Sequence, residues 1–110
     1  MAYDAELARR LRELLAGERS ITEKKMFGGL AFLLRGNMCV SASGRGGLLA
    51  RVDPADTAKL VAKPHVARMS MGGRTMDGWI RVAPEAIPTD RALGVWVKRC
   101  VAYVKTLPAK

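Results

Sequence analysis

The chain has 110 residues, of which 49% are hydrophobic, and it carries a formal net charge of +9. This length fits one domain over residues 1–110, and the hydrophobic fraction excludes a disordered tail. Because the chain has neither an apolar run near the roughly 20 residues that span a bilayer nor a secretory signal at its acidic N-terminus, we expect a cytoplasmic protein with no membrane contact.

The first predicted element is a helix over residues 4–16, with an apolar stripe of leucines at helical spacing. Arg9, Arg10 and Arg12 lie mainly off this stripe and form the densest cationic cluster of the chain. Together with the net charge, they predict contact with a polyanion, for which nucleic acid is the commonest candidate. The alternative is a generally basic surface with no specific partner. Aromatic residues, at 5% of the chain, offer no stacking platform for single strands.

An apolar run that contains two adjacent glycines predicts the first strand, over residues 24–34. Its structural motif is Met26, Phe27, Gly28 and Gly29. We expect the strand to bend at the glycines, because glycine inside a strand marks a bulge, a bend or the close approach of another backbone. Alternating apolar residues predict two more strands, over 38–42 and 48–52. The short links between these strands require antiparallel pairing.

The second half of the chain predicts a helix, a hairpin and a final helix. Asp53 and Pro54 begin a helix that extends to about Ala62. Residues 66–82 form two antiparallel strands joined at glycine, and residues 89–104 carry apolar side chains at helical spacing. The predicted order is α-β-β-β-α-β-β-α. We therefore expect a two-layer α+β fold in which helices pack on an antiparallel sheet.

Side chains that are reactive or that bind metals are few and scattered. Cys39 and Cys100 lie far apart in the sequence and predict two buried, reduced thiols, with a disulfide as the alternative. A zinc site needs about four Cys or His ligands, and His65 is the only histidine. An enzyme would require a pocket shared by the remaining candidates: His65, Cys39, Asp77 and Glu85. We predict no catalytic, metal-binding or cofactor-binding residue, no cofactor and no small-molecule substrate.

Two kinds of apolar side chain are candidates for contact with another protein or a second copy of the chain. Trp79 is either a hot spot for a partner or a residue packed under a helix. Five methionines form either an adaptable binding face or part of the core: Met26, Met38, Met69, Met71 and Met76. Exposed strand edges would extend such a surface. We therefore expect a protein partner or self-association, and nucleic acid is the other partner that the sequence suggests.

The segment KKMFGGLAF, residues 24–32, resembles the N-terminal domain of the TfoX/Sxy family. The resemblance continues through residues 36–38 (GNM), 49–52 (LARV) and 76–85 (MDGWIRVAPE), so it covers nearly the whole chain. It implies a compact α+β domain with a curved antiparallel sheet. Named members of that family regulate natural competence in bacteria as coactivators of transcription that work with a cyclic-AMP receptor protein. Those regulators have a second, helical domain, whereas we expect this chain to be a single-domain member.

The resemblance carries over no catalytic residue and implies a non-enzymatic regulatory or interaction module. We expect a role related to transcription or competence, in which Arg9, Arg10 and Arg12 contact nucleic acid or the transcription machinery. The alternative is a self-associating, protein-binding module with no nucleic-acid role.

Overall fold

A computed structural model describes residues 3–26, 28–71 and 73–109. The helices are α1 (Ala5–Leu14), α2 (Thr57–Val61) and α3 (Asp90–Val104), and 3-10 turns lie at Pro54–Asp56 and Pro84–Ala86. The strands are β1 (Ile21–Met26), β2 (Gly29–Leu34), β3 (Asn37–Ala42), β4 (Leu48–Arg51), β5 (Val66–Met71) and β6 (Arg74–Val82). Within the described ranges, no helix is both long and apolar enough to cross a membrane.

The strands of the described chain form one six-stranded sheet in the order β1-β2-β3-β4-β6-β5, and every neighbouring pair is antiparallel. The first four strands follow one another across the sheet. The hairpin of β5 and β6 then joins through β6, which pairs with β4. The predicted two-layer α+β fold with an antiparallel sheet is confirmed.

One prediction inside this fold is wrong: residues 24–34 do not form a single bent strand. They belong to a hairpin, in which β1 pairs with β2 from Ile21 opposite Leu34 to Met26 opposite Gly29. Gly28 has a φ of +77°, which glycine adopts in tight turns without steric cost. Phe27, the remaining residue of the predicted motif, lies outside the described residues. Gly28 therefore lies in the turn that reverses the chain and Gly29 begins β2, so the described structure has one more strand than predicted.

Side-chain caps fix the starts of the two longer helices. Asp4 Oδ1 accepts hydrogen bonds from the backbone N–H groups of Glu6 and Leu7, at 2.9 and 3.2 Å. Thr89 Oγ1 accepts one from the N–H of Ala92 at 3.1 Å, as its position before the apolar stripe of α3 predicts. These bonds satisfy donors that have no partner within the helix.

The two faces of the sheet differ in what covers them. One row of paired residues crosses all six strands and contains Lys25, Leu30, Ala42, Leu48, Val82 and Val66. Its apolar members belong to the same buried cluster as residues of all three helices. The adjacent row points to the opposite face, because successive residues of a strand alternate in direction. It contains Lys24, Ala31, Ser41, Leu49, Arg81 and Ala67.

We call the face that carries this second row the open face. Its apolar residues Ala31 and Leu49 are buried, yet they do not belong to the cluster that the helices cover. Among the described elements, all three helices therefore pack on the other face. The open face is the part of the sheet that is left to contact something else.

Candidate interaction surface

A cavity of about 210 Å³ lies on the open face. Its lining residues are Ser41, Ser43, Ser70, Arg45, Arg81, Met26, Met38, Met69, Gly29, Gly44 and Leu49. Three of the methionines that predicted an adaptable face thus come together here. None of these lining residues is acidic. The cavity combines hydroxyl groups and two guanidinium groups with an apolar wall.

Ser43 fixes the polar end of this cavity. Its hydroxyl oxygen accepts a hydrogen bond from the backbone N–H of Arg45 at 3.1 Å and another from Nη1 of Arg81 at 3.2 Å. The Ser43 N–H donates to the carbonyl of Gly47 at 3.0 Å, which closes the turn between β3 and β4. One buried serine therefore connects this turn to the side chain that β6 presents on the open face.

Positive charge accumulates at this end of the cavity. Burial, and secondly the nearby charge of Arg45, lower the pKa of Arg81. Neither arginine forms an ion pair with a carboxylate in the part of the chain that the structure describes. Two like charges held together without a counter-charge favour the binding of an anion between them.

The predicted cationic cluster on α1 is in a different situation. Its guanidinium groups pair with carboxylates: Arg9 with Glu6 and Glu13, Arg10 with Asp90, and Arg12 with Glu23. The hydrogen bond from Arg12 holds the pKa of Glu23 below its usual value. Arg10 is only 16% exposed, and it also donates to the carbonyl of Ile87 at 3.0 Å. The contact of this cluster with a polyanion stays a prediction, and each of its charges already has a neighbour of opposite sign.

Trp79 lies on the open face, half-buried. It pairs across the sheet with Arg51, whose guanidinium carbon is 5.0 Å from the centre of the indole ring. This distance is in the range of a cation–π contact. The structure therefore places the predicted partner residue on the same face as the cavity, although Trp79 does not line it. Its contact with a partner stays a prediction.

Neither Arg45 nor Arg81 was predicted from the sequence as a residue of the site. A signal for Arg81 was present, because a charged residue between the buried Ile80 and Val82 must point away from the core. Arg45 lies in a glycine-rich turn, where nothing in the local sequence indicates the direction of its side chain.

Comparison with protein families gives one finding. The model of the TfoX N-terminal domain matches residues 13–104 of the 110-residue chain. The chain belongs to the TfoX N-terminal domain family. The match includes all six strands, α2 and α3, but only the last two residues of α1, so the open face lies inside the family domain. Comparison with curated proteins and with solved structures gave no match.

In this TfoX N-terminal domain, the side chains considered for catalysis lie in different settings. Cys39 is fully buried, whereas His65 and Glu85 are exposed. Asp77 forms an ion pair with Arg68 at 3.0 Å. Of these candidates, none lines the cavity on the open face. Among the described residues, no group of three or more His, Cys, Asp or Glu side chains could hold a metal ion.

We expect both thiols of the domain to be unreactive in the native state. Burial raises the pKa of Cys39 to about 12 and raises that of Cys100 as well, so that almost no thiolate forms near neutral pH. A thiol-specific reagent such as Ellman's reagent should label neither residue in native protein and both after unfolding in guanidinium chloride. Rapid labelling of native protein would contradict their burial.

Proposed function

We propose that this domain is a non-enzymatic module of gene regulation that binds duplex DNA through the open face of its sheet. The observation that carries this proposal is the charge of that face. Lys24, Arg51 and Arg81 lie on it, and Arg45 adjoins it. We expect this chain in the cytoplasm, a compartment in which it can encounter DNA.

The few acidic residues of the sheet do not balance this charge. The strands contain two of them, Glu23 and Asp77. Glu23 pairs with Arg12 of α1, and Asp77 pairs with Arg68. Neither forms an ion pair with a cation of the open face. An uncompensated basic face attracts phosphates and releases their counterions on binding.

The test is fluorescence anisotropy with a labelled DNA duplex over a series of salt concentrations. We expect binding at low salt that weakens steeply as salt rises. The variant Lys24→Glu/Arg51→Glu reverses two charges of the open face and should lower affinity by at least about tenfold. The matched control is Arg91→Glu/Lys98→Glu, which makes the same change of charge at exposed positions of α3 and should cost much less.

A third variant, Arg9→Gln/Arg12→Gln, tests the α1 cluster directly. We expect a small effect because both side chains pair with carboxylates. If only this variant lost affinity for DNA, the DNA contact would lie on α1 and not on the open face. Equal losses in all three variants would contradict a dedicated surface, and absence of binding at low salt would refute the proposal.

Self-association is the second candidate function, and it is favoured by β5, the strand at one edge of the sheet. The outer strand β1 carries exposed charges at residues 23–25, and such charges discourage the pairing of another strand. At the other edge, β5 presents Ala67 and Ser70 as exposed, uncharged residues. Light scattering after gel filtration should then give twice the monomer mass. A monomer at every concentration would argue against this function.

A further inference from the structure

The Ser43 hydroxyl can still donate one hydrogen bond. A serine hydroxyl can accept two hydrogen bonds and donate one. Both acceptor positions are occupied, by the N–H of Arg45 and by Nη1 of Arg81. In the described structure this hydroxyl donates to no other group, so its proton is free at the wall of the cavity. Ser41, by contrast, uses its own hydroxyl on the carbonyl of Leu30 at 3.1 Å.

The arginines beside Ser43 also have unused donors. A guanidinium carries five N–H groups, and in the described chain Arg81 uses one of its own, on Ser43. The side chain of Arg45 forms no hydrogen bond with another described residue. The guanidinium group has a planar, forked shape that matches two oxygens of a phosphate. Ser43, Arg45 and Arg81 therefore offer unused donors of the kind that a tetrahedral oxyanion accepts.

The size of the cavity limits what can enter it. A volume of about 210 Å³ is well above the roughly 10–15 Å³ that a cavity needs to hold one water molecule, so a phosphate group can enter. It is smaller than the roughly 300–1,000 Å³ of pockets that enclose a drug-sized ligand. A sugar or base attached to the phosphate would remain outside, along the open face.

We propose that Ser43, Arg45 and Arg81 form a binding site for one phosphate group at the end of the open face. This inference deepens the proposed function and rests on it where the phosphate belongs to the backbone of DNA. A free mononucleotide is the other source of the same group. In both cases the anion neutralises two neighbouring guanidinium groups and accepts a hydrogen bond from the Ser43 hydroxyl.

The test is a titration of the isotopically labelled full chain, followed by NMR, with inorganic phosphate, AMP and a short DNA duplex as separate probes. We expect saturable shifts at the backbone N–H of Arg45 and the Nε–H of Arg81. Arg45→Gln, Arg81→Gln and Ser43→Ala should each weaken the binding of every probe that saturates the site, by about tenfold for the arginines. Of the three variants, Arg45→Gln should leave the fold intact, because this side chain is exposed. Arg91→Gln on α3 is the control and should change nothing.

The probes separate the sources of the phosphate and separate this inference from the proposed function. AMP that binds more tightly than the duplex identifies a free nucleotide as the ligand and supports the site while contradicting DNA binding. Duplex binding that is lost in Lys24→Glu/Arg51→Glu but unchanged in Ser43→Ala and Arg81→Gln supports the proposed function and refutes the phosphate site. NMR shifts that do not saturate as the probe is added would also refute the site. An equal weakening of binding in the control Arg91→Gln would refute it as well.

Discussion

We expect the variant Gly29→Ala to be less stable than the natural chain by about 3 kcal/mol in the free energy of unfolding. A Cβ atom at this position would lie 2.4 Å from the carbonyl oxygen of Ala42 and 3.0 Å from the backbone nitrogen of Gly44. Both are backbone atoms, held by the pairing of β2 with β3 and by the turn that follows. The clash therefore cannot be relieved by rotating a side chain, and the strands must shift.

Chemical denaturation and the thermal midpoint measure this effect. A loss of about 3 kcal/mol corresponds to a fall in Tm of roughly 12 °C for a domain of this size. Gly17→Ala is the matched control, because a Cβ there meets nothing within 4 Å, and we expect its stability to stay the same or rise slightly. Gly44→Ala should behave like Gly29→Ala, since its Cβ would lie 2.7 Å from the carbonyl oxygen of Gly28. An unchanged thermal midpoint for Gly29→Ala would mean that the turn between β1 and β2 does not touch the turn between β3 and β4 as described.

Local periodicity was sufficient to predict α1 and α3, whereas a cap followed by proline predicted the helical segment of α2 and the short links predicted the antiparallel class of the sheet. The stripe of α3 reports a buried face directly, and its residues Leu93, Trp96 and Val97 are all buried as the spacing predicts. The hairpin of β1 and β2 was not predictable in the same way. An apolar run with two glycines fits a bend as well as a turn, and the contact that requires Gly29 comes from residues 42–44 of another hairpin.

The start of β1 was missed for a related reason. Residues 22–25 are polar and exposed, which is common in a strand at the edge of a sheet and gives no alternating pattern. Only their pairing with β2 makes them a strand. An edge strand of this kind is defined by its neighbour, and the neighbour is not visible in the local sequence.

The candidate site was less predictable than the fold because charge had to be judged along the chain rather than across the sheet. Arg9, Arg10 and Arg12 are close in sequence, but carboxylates from the same helix, from β1 and from the start of α3 lie beside them. Lys24 and Arg81 are 57 positions apart, yet one row of paired residues connects them. Uncompensated charge depends on both the cations and the acids around them, and folding brings each of these from distant positions.

The variant Thr57→Val should lose about 2 kcal/mol of stability, because it removes the partner of a buried donor. Thr57 is 1% exposed, and its Oγ1 accepts a hydrogen bond from the N–H of Gly78 at 2.8 Å. Gly78 has a φ of +86° and its carbonyl accepts from the N–H of Val52 at 2.9 Å, so α2 and the residue that follows β4 together hold this irregular point of β6. Valine has nearly the same shape as threonine but cannot accept a hydrogen bond.

The same substitution should also disturb the open face, since Trp79 follows Gly78 directly in β6. We expect a fall in Tm of roughly 8 °C together with a change in tryptophan fluorescence. Thr57→Ser keeps the hydroxyl and should retain most of the stability and the native emission spectrum. Thr22→Val, at an exposed threonine of β1, is the control for the change of side-chain type and should alter neither quantity. If Thr57→Val matched that control, the hydroxyl would not be what holds Gly78, and the position of Trp79 beside Arg51 would depend on strand pairing alone.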